Sequence, residues 1–272
     1  MKMTHKKITS LSNPLVRKAV EAKKRKQGPA EELFLVEGPH LVGMAASAGT
    51  PIKEVFHTEK FMRKEEGKML FDQLSLMQSP PEALLEVTDE IISRISDTES
   101  SQGIVALAVH SPCNFRDLVA KGELLVVACD GIQNPGNLGT IIRVADAGGA
   151  DAVVILPGTC DPFSPKTVRA TAGSIFNIPV IVSGHSEFLA FLTLKMLDLI
   201  VTDVRARRSL YESDLRRPVA FAFGNEARGI SETLRSKAAE SVRIPIPGKA
   251  ESLNVAIAVA VCLYEAVRQR TG

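Results

Sequence analysis

The stretch LLVVACDGIQNPGNLGTIIRVADAGGADAVVIL, residues 124–156, carries the pattern that decides the fold of the second half of the chain. It runs from an apolar segment of strand length, Leu124–Cys129, through the turn signal Asn134–Gly136 into a helical segment. It ends in a second apolar segment, Ala152–Leu156. Continuous apolar runs of this length, separated by a helix, are typical of parallel strands that are buried on both faces. The stretch therefore predicts a strand, helix, strand unit of an α/β domain.

The same alternation continues toward the C-terminus. Further apolar runs of strand length are Ile178–Val182, Leu197–Thr202 and Val219–Phe223, with helical stretches between them. Ligands of parallel α/β sheets usually bind beyond the carboxyl ends of the strands. We therefore predict one parallel-sheet domain over residues 122–272, with its functional site in the segments that follow the strands.

The first half of the chain predicts a smaller α/β domain over residues 31–110. Its predicted strands are Leu33–Val36, Lys53–His57 and Gly103–Val109, and its predicted helices are Pro39–Ala48, Phe61–Met77 and Glu82–Ile95. Residues 111–121 contain Pro112 and Asn114 and lack a strand signal. They are the predicted linker between the two domains.

The first 30 residues form a predicted basic arm. They contain nine Lys or Arg against one Glu, a net charge of +8, whereas the whole chain carries +2 and the remainder therefore −6. Such an arm attracts phosphate backbones through counterion release. A solvated helix face is the alternative explanation, and charge alone does not separate the two.

The composition bounds the class of protein. The 272 residues are 45% hydrophobic and 24% charged, as in globular proteins. The longest apolar run, residues 255–264, is too short to span a bilayer, and no apolar signal segment follows the Lys-rich start. We therefore expect a cytoplasmic protein that does not contact a membrane.

Several common chemistries are not supported by the sequence. Its four cysteines are far apart and form no C-x-x-C pair, which predicts reduced, buried thiols, and its five histidines are scattered, so we expect no metal site. The G-x-G-x-x-G, Walker A, H-E-x-x-H and G-x-S-x-G motifs are absent. The absence of the G-x-G-x-x-G motif argues against a Rossmann-type nucleotide enzyme.

Three segments after strands carry residues that a plain loop would not need together. In the first, Asn137 is predicted to cap a helix, and Arg143 lies among apolar residues, where we expect a buried partner or an anion. In the second, Glu226 lies in a loop bounded by Gly224 and Gly229, glycines that allow close approach of a ligand, although a solvated loop would look the same.

The third segment, residues 244–266, leads through Gly248 into a long apolar helix. Ser252 is the predicted N-cap of that helix. Asn254 is expected just inside it, where its amide needs a specific partner.

Taken together, NPGNLGTIIR (134–143), GNEARGIS (224–231) and IPIPGKAESLNVAIAVA (244–260) closely resemble the three ordered motifs of the SpoU, or TrmH-like, branch of the SPOUT RNA methyltransferases. One such string would be a weak signal, whereas three in the family's order cover residues 122–268. The segments ITSLSNPLVRKAV (8–20) and LFLVEGPHLV (33–42) are similar to the opening of an L30e-like RNA-binding domain.

The resemblance implies a deep C-terminal trefoil knot, a homodimer and S-adenosylmethionine as cofactor. The motif positions that it implies for catalysis are Asn137, Arg143, Glu226, Ser252 and Asn254. The positions that it implies for cofactor binding are Thr202, Phe223, Gly224, Ile244, Ile246 and Leu253. The implied activity is methylation of a ribose 2′-hydroxyl, and the appended L30e-like domain is more typical of enzymes that act on 23S-type ribosomal RNA.

Two alternatives within this resemblance stay open at the level of sequence. Transfer RNA 2′-O-methyltransferases share all three motifs. A non-catalytic RNA-binding protein of the same fold would have lost the active-site residues, and the intact Arg143, Glu226 and Asn254 argue against it.

Overall fold

The computed structural model describes residues 4–24, 33–77, 80–119 and 123–271. Its contacts divide the chain into two compact units. The first comprises Met1–Ser111 and Phe163–Phe176, and the second comprises Pro112–Pro162 and Asn177–Gly272. No helix within the described residues is long and apolar enough to cross a membrane.

The first unit contains a five-stranded mixed sheet in the order β1-β4-β3-β5-β2. In chain order its elements are β1 (Thr4–Ile8), α1 (Pro14–Lys23), β2 (Leu33–Glu37), α2 (Pro39–Ser47), β3 (Ile52–Thr58), α3 (Glu59–Met62), α4 (Glu65–Ser75), β4 (Ala83–Val87), α5 (Asp89–Ile95) and β5 (Ile104–Val109). Strands β1, β4 and β3 are parallel, whereas β5 is antiparallel to both of its neighbours. The predicted strands over Leu33–Val36, Lys53–His57 and Gly103–Val109 are confirmed.

Two predicted helices of this unit are wrong in part. The helix predicted over Glu82–Ile95 begins with strand β4, and only its second part is α5. A short apolar run such as Leu84–Leu85 packs equally well from a strand or a helix, so periodicity alone misassigned it. The helix predicted over Phe61–Met77 is divided into α3 and α4. Gly67 lies against the Phe61 carbonyl. A Cβ at position 67 would be only 2.3 Å from the Phe61 carbonyl oxygen.

The predicted basic arm is largely folded into the first unit. β1 pairs with β4, and α1 buries Val16, Ala19 and Ala22 in the core. Lys18 forms an ion pair with Glu54 at 2.9 Å. The remainder of the predicted arm, residues 1–3 and 25–30, lies outside the described residues.

The second unit contains a seven-stranded sheet in the order β10-β12-β9-β11-β6-β7-β8, in which all pairs are parallel, as predicted. Including α7, which belongs to the first unit, the remaining elements are β6 (Leu125–Asp130), α6 (Pro135–Ala147), β7 (Ala152–Leu156), α7 (Pro165–Ala170), β8 (Val180–Val182), α8 (His185–Lys195), β9 (Asp198–Thr202), β10 (Arg208–Ser209), β11 (Val219–Gly224), α9 (Glu232–Arg235), β12 (Glu240–Arg243) and α10 (Val255–Thr271). Helices α6 and α10 pack against each other.

The predicted linker is not a plain connection. Phe115 is buried and stacks on Phe191, with ring centroids 4.3 Å apart, and more distantly on Phe188. This part of the predicted linker therefore belongs to the core of the second unit.

The segment Phe163–Phe176 was predicted as part of the C-terminal domain but packs within the first unit. Phe163 lies 5.2 Å from Phe34 between ring centroids, and Arg169 forms an ion pair with Asp97 at 2.9 Å. The sequence does not indicate that this segment packs in the first unit, because its apolar residues would be equally suitable for either hydrophobic core.

Candidate active site

The carboxyl ends of four neighbouring strands form the edge of the sheet that holds the candidate site. These strands are β12, β9, β11 and β6, in that order. The segments that follow β6, β11 and β12 are the three that the sequence singled out. Parallel strands present their carboxyl ends at one edge, so residues distant in sequence meet there.

Helix α6 begins one turn earlier than predicted. Asn134, not Asn137, is its N-cap, and the Asn134 side chain accepts hydrogen bonds from the backbone N–H groups of Gly136 and Asn137. Pro135 follows at the first helical position, where its fixed φ suits a helix start. Asn137 therefore lies inside the first turn, and its side chain is released from capping.

Three of the predicted site residues form a continuous hydrogen-bonded chain. The Asn254 Nδ2 donates to Asn137 Oδ1 at 3.0 Å, and the Asn137 Nδ2 donates to Glu226 Oε1 at 2.8 Å. The Asn254 Oδ1 accepts from the backbone N–H of Ala256 at 2.9 Å. The chain joins one residue from each of the three motifs.

The direction of this chain is fixed at both ends. A backbone N–H can only donate, and a carboxylate accepts, so both amides between Ala256 and Glu226 have a single favourable orientation. Asn254 directly precedes α10 and accepts from its second residue, which corrects its expected place inside the helix. The predicted cap, Ser252, is exposed and two residues further out.

Arg143 is exposed, which corrects the expectation of a buried partner, whereas the expected anionic ligand stays a prediction. Helix α6 buries Leu138, Ile141, Ile142 and Ala145, whereas Arg143 lies on the opposite, solvent-facing side. Apolar neighbours in a helical sequence do not bury a residue, because adjacent positions point about 100° apart. Within the described residues Arg143 has no hydrogen bond or ion pair, so its guanidinium is available to an anionic ligand.

The loop that carries Glu226 folds back on itself. Asn225 and Gly229 form a backbone bridge, with hydrogen bonds of 2.8 and 3.1 Å. A Cβ on Gly224 would lie 2.2 Å from the Gly229 carbonyl carbon. Gly224 is therefore required by the close approach of its own chain, whatever contact its backbone makes with a ligand.

Both ends of this loop are hydrogen-bonded to the carboxyl end of β6 or to the residue that follows it. Asn225 Nδ2 donates to the Gly131 carbonyl at 2.9 Å, and the buried Asp130 accepts from the Ser231 backbone N–H at 2.8 Å. Asp130 also contacts His185 Nε2 at 2.9 Å.

The sequence interpretation missed Asp130 and Asn225 and assigned no role to His185. A buried acid at the end of an apolar strand is the signal that could have identified Asp130.

The residues expected to bind the cofactor lie at the ends of β9, β11 and β12. Thr202 is the last residue of β9, and its hydroxyl donates to the Ala222 carbonyl of β11 at 3.4 Å. The side chain of Phe223 is 1% exposed and fills the core, so only its backbone can reach a ligand. Ile244 and Ile246 follow β12 and are half-buried, and Leu253 is exposed.

These residues fit S-adenosylmethionine in chemical type. Small-molecule sites are mostly apolar clefts with a few placed polar groups. Ile244, Ile246 and Leu253 are apolar side chains that the core leaves partly uncovered. No group of three or more His, Cys, Asp or Glu side chains among the described residues is arranged to hold a metal ion.

Comparisons with known proteins identify the family. The sequence profile of the SpoU rRNA Methylase family matches residues 124–264, and that of the MRM3-like substrate binding domain matches residues 13–106. A relative from Bacillus subtilis, 23S rRNA (guanosine(2553)-2′-O)-methyltransferase RlmP, is 32% identical over 95% of this chain and 98% of its own.

Two crystal structures with AdoMet, S-adenosylmethionine, share the architecture. The AdoMet-bound rRNA methyltransferase from Sinorhizobium meliloti is 32% identical, covers 97% of this chain and 98% of its own, and has a TM-score of 0.85. The SpoU methyltransferase AviRb from Streptomyces viridochromogenes, also in complex with AdoMet, is 25% identical with a TM-score of 0.85, and covers 96% and 99%. The chain has the same fold as these proteins and matches them along nearly its whole length. It therefore belongs to the SpoU rRNA methylase family.

Proposed function

We propose that this chain transfers the methyl group of S-adenosylmethionine to a ribose 2′-hydroxyl of 23S-type ribosomal RNA. The single observation that carries the proposal is the hydrogen-bonded chain Asn254–Asn137–Glu226. It joins the three motifs at one edge of the sheet, and Arg143 follows Asn137 on the same helix. A decayed, non-catalytic relative would have no reason to keep both amides oriented.

When bound, S-adenosylmethionine supplies an electrophilic methyl group on a sulfonium. The residues that would hold it are Thr202, Gly224, Ile244, Ile246 and Leu253, with backbone at Phe223. A 2′-hydroxyl is a poor acid, so the oxygen must be positioned and its developing negative charge stabilised.

We assign the charge stabilisation to Arg143. A guanidinium stays protonated at neutral pH and is an unsuitable free base, but its planar fork can hold a neighbouring phosphate and contact the reacting oxygen together. The exposure of Arg143 and its lack of an internal partner among the described residues support this role. Glu226 and Asn137 orient the surrounding polar groups, and Ser252 and Asn254 hold the segment that leads into α10.

We further propose that the protein is a homodimer. Helix α10 buries one side against its own unit but leaves Ile257 and Tyr264 each 53% exposed, with Leu253 at 36% just before the helix. An apolar stripe of this kind on a helix is typical of a surface that a partner covers.

Ribose-methylation mapping of total RNA from cells with and without the gene tests the substrate. We expect one 2′-O-methyl group of the large ribosomal RNA to disappear and to return when the protein acts on protein-free 23S RNA. Loss of a methyl group from transfer RNA would favour the alternative substrate, and an unchanged methylation map together with no transfer in vitro would contradict the proposed activity.

A further inference from the structure

The segment between β9 and β10, residues 203–207, is unusually rich in arginine. It follows Thr202 at the carboxyl edge of the sheet, and the Asp203 backbone N–H donates to the Val242 carbonyl of β12 at 2.9 Å. Strand β9 is the neighbour of β11, which leads into the loop of Glu226. Residues 203–207 therefore lie one strand away from the candidate active site.

Arginines around this segment hold it in one conformation. Arg243 Nη1 donates to the Ala206 carbonyl at 3.2 Å and also to the Arg207 carbonyl. Arg235 forms an ion pair with Asp203. The next residue along the chain, Arg208, is held in turn, since its Nη2 donates to the Glu212 carbonyl at 2.8 Å.

Asp203 is the only acidic residue of the segment, and its carboxylate already has hydrogen-bond and ion-pair partners. Its Oδ1 accepts from the Arg205 backbone N–H at 2.8 Å, and the Ala206 backbone N–H donates to its carbonyl at 3.0 Å. The Arg205 N–H and the Arg235 guanidinium lower the pKa of Asp203, so its carboxylate is ionised at neutral pH.

The side chains of Arg205 and Arg207 do not take part in holding the segment. Both are exposed, and among the residues that the structure describes neither guanidinium has a hydrogen bond or an ion pair. Two exposed guanidinium groups therefore lie on a loop that Arg235 and Arg243 hold in place. A loop held in this way loses little backbone freedom when its charges bind a ligand.

We propose that Arg205 and Arg207 bind the phosphate backbone of the RNA strand that enters the active site. The guanidinium fork matches phosphate oxygens, and residues 203–207 lie at the same sheet edge as Glu226. The inference rests on the proposed function, because it takes RNA as the ligand. It assigns RNA contact to the methyltransferase unit, in addition to the unit that resembles a substrate-binding domain.

The test compares RNA binding by the full chain and by an Arg205→Gln/Arg207→Gln variant over a range of salt concentrations, with protein-free 23S RNA transcribed in vitro as the probe. The matched control is Lys195→Gln/Lys237→Gln, because both lysines are exposed, and they precede β9 and β12 at the opposite edge of the sheet. Calorimetry with S-adenosylmethionine checks the cofactor site of each variant.

We expect the arginine variant to bind RNA more weakly and to flatten the slope of log affinity against log salt by about 1.4, since each single-strand phosphate contact contributes about 0.7. The control should keep the slope of the parent protein, and all three should bind the cofactor equally. An unchanged slope in the arginine variant, or loss of cofactor binding with it, would overturn the inference. Failure of the parent protein to methylate any RNA would instead contradict the proposed function, and the binding comparison would still decide whether this loop contacts RNA.

Discussion

Glu226 and Asn137 are joined by a hydrogen bond of 2.8 Å at an exposed part of the site, so charge and geometry can be separated there by single substitutions. Glu226→Gln keeps an oxygen that accepts from Asn137 but removes the negative charge. A hydrogen bond to a charged group is stronger than a neutral one by roughly 1 kcal/mol, so we expect a loss of methyl transfer within about tenfold.

The same rate measurement on Glu226→Ala gives the comparison. This variant leaves the Asn137 amide without its acceptor, and we expect a considerably larger loss. If Gln and Ala are equally damaging, the negative charge itself is required, and the interpretation of Glu226 as an orienting acceptor is wrong.

Arg143 is the residue whose removal should affect chemistry most. We expect Arg143→Ala to lower methyl transfer by about 10² to 10³, the usual cost of losing one preorganised charge-stabilising group, while S-adenosylmethionine still binds. Arg143→Lys should be nearly as damaging, because Lys keeps the charge but loses the planar fork. A tritiated-methyl assay and calorimetry measure the two effects separately.

Thr140 is a matched control for this substitution, because it lies on the same exposed side of α6 one turn earlier. Thr140→Ala should change neither measurement greatly. Near-normal turnover in Arg143→Ala would remove Arg143 from the mechanism, and loss of cofactor binding would make it a structural residue.

The polar residues at the carboxyl edge could be predicted from the sequence, but their contacts could not. The resemblance to the three family motifs selected Asn137, Glu226 and Asn254, which the structure connects by hydrogen bonds. The exposure of Arg143 depends on the rotation of α6 about its axis, which is set by the burial of Leu138, Ile141, Ile142 and Ala145 on the opposite side.

Among the elements, the loop between β11 and α9 depends on one buried carboxylate, Asp130. Asp130→Ala removes the acceptor of the Ser231 backbone N–H and the partner of His185. A buried donor left unsatisfied costs about 1 to 3 kcal/mol, so we expect the free energy of unfolding to fall by about that amount. Urea denaturation followed by circular dichroism measures it.

Ser231→Ala separates the backbone contact from the side-chain contact. It keeps the N–H that donates to Asp130 and removes only a hydroxyl 3.5 Å from His185 Nε2. We expect less than about 0.5 kcal/mol in this control. Equal losses in both variants would mean that the Ser231 hydroxyl, and not the carboxylate, holds the loop.

Apart from β4, the strands that the sequence did not predict share a weak apolar pattern. β1 is THKKI, and β12 is ESVR with only Val242 buried. β1 and β10 lie at sheet edges, where each strand has a single neighbour and charged residues are common. The apolar pattern therefore identified most of the central strands, whereas β1, β10 and β12 carry too little of it to be predicted.

At the scale of the whole molecule, the exposed stripe on α10 predicts the oligomeric state. Ile257→Glu/Tyr264→Glu places charge on the proposed dimer surface, and we expect light scattering to report a monomer in place of a dimer. Leu194→Glu, on α8 and 77% exposed, is the control and should leave the mass unchanged. A dimer in the double variant, or a monomeric parent protein, would contradict the proposal. The implied trefoil knot remains a prediction.

The structure also changes what we expect of the second unit when it is produced without the first. A fragment over residues 122–272 was expected to be a complete domain. It would lack Phe115, which stacks on Phe191, and the first-unit surface that covers Phe163 and Ile175. Burial of each such side chain contributes about 1.5 to 3 kcal/mol, so the fragment loses stability at both places.

We therefore expect the 122–272 fragment to unfold at a lower temperature than the full chain and to bind a hydrophobic dye. A fragment that begins at Pro112 regains Phe115 and should recover part of the difference. Adding Phe163→Ser and Ile175→Ser to this longer fragment should reduce dye binding further, because these side chains would no longer expose apolar surface to water. Melting by circular dichroism with dye fluorescence checks all three fragments. A 122–272 fragment that melts like the full chain and binds no dye would mean that the Phe163–Phe176 segment needs no cover from the first unit.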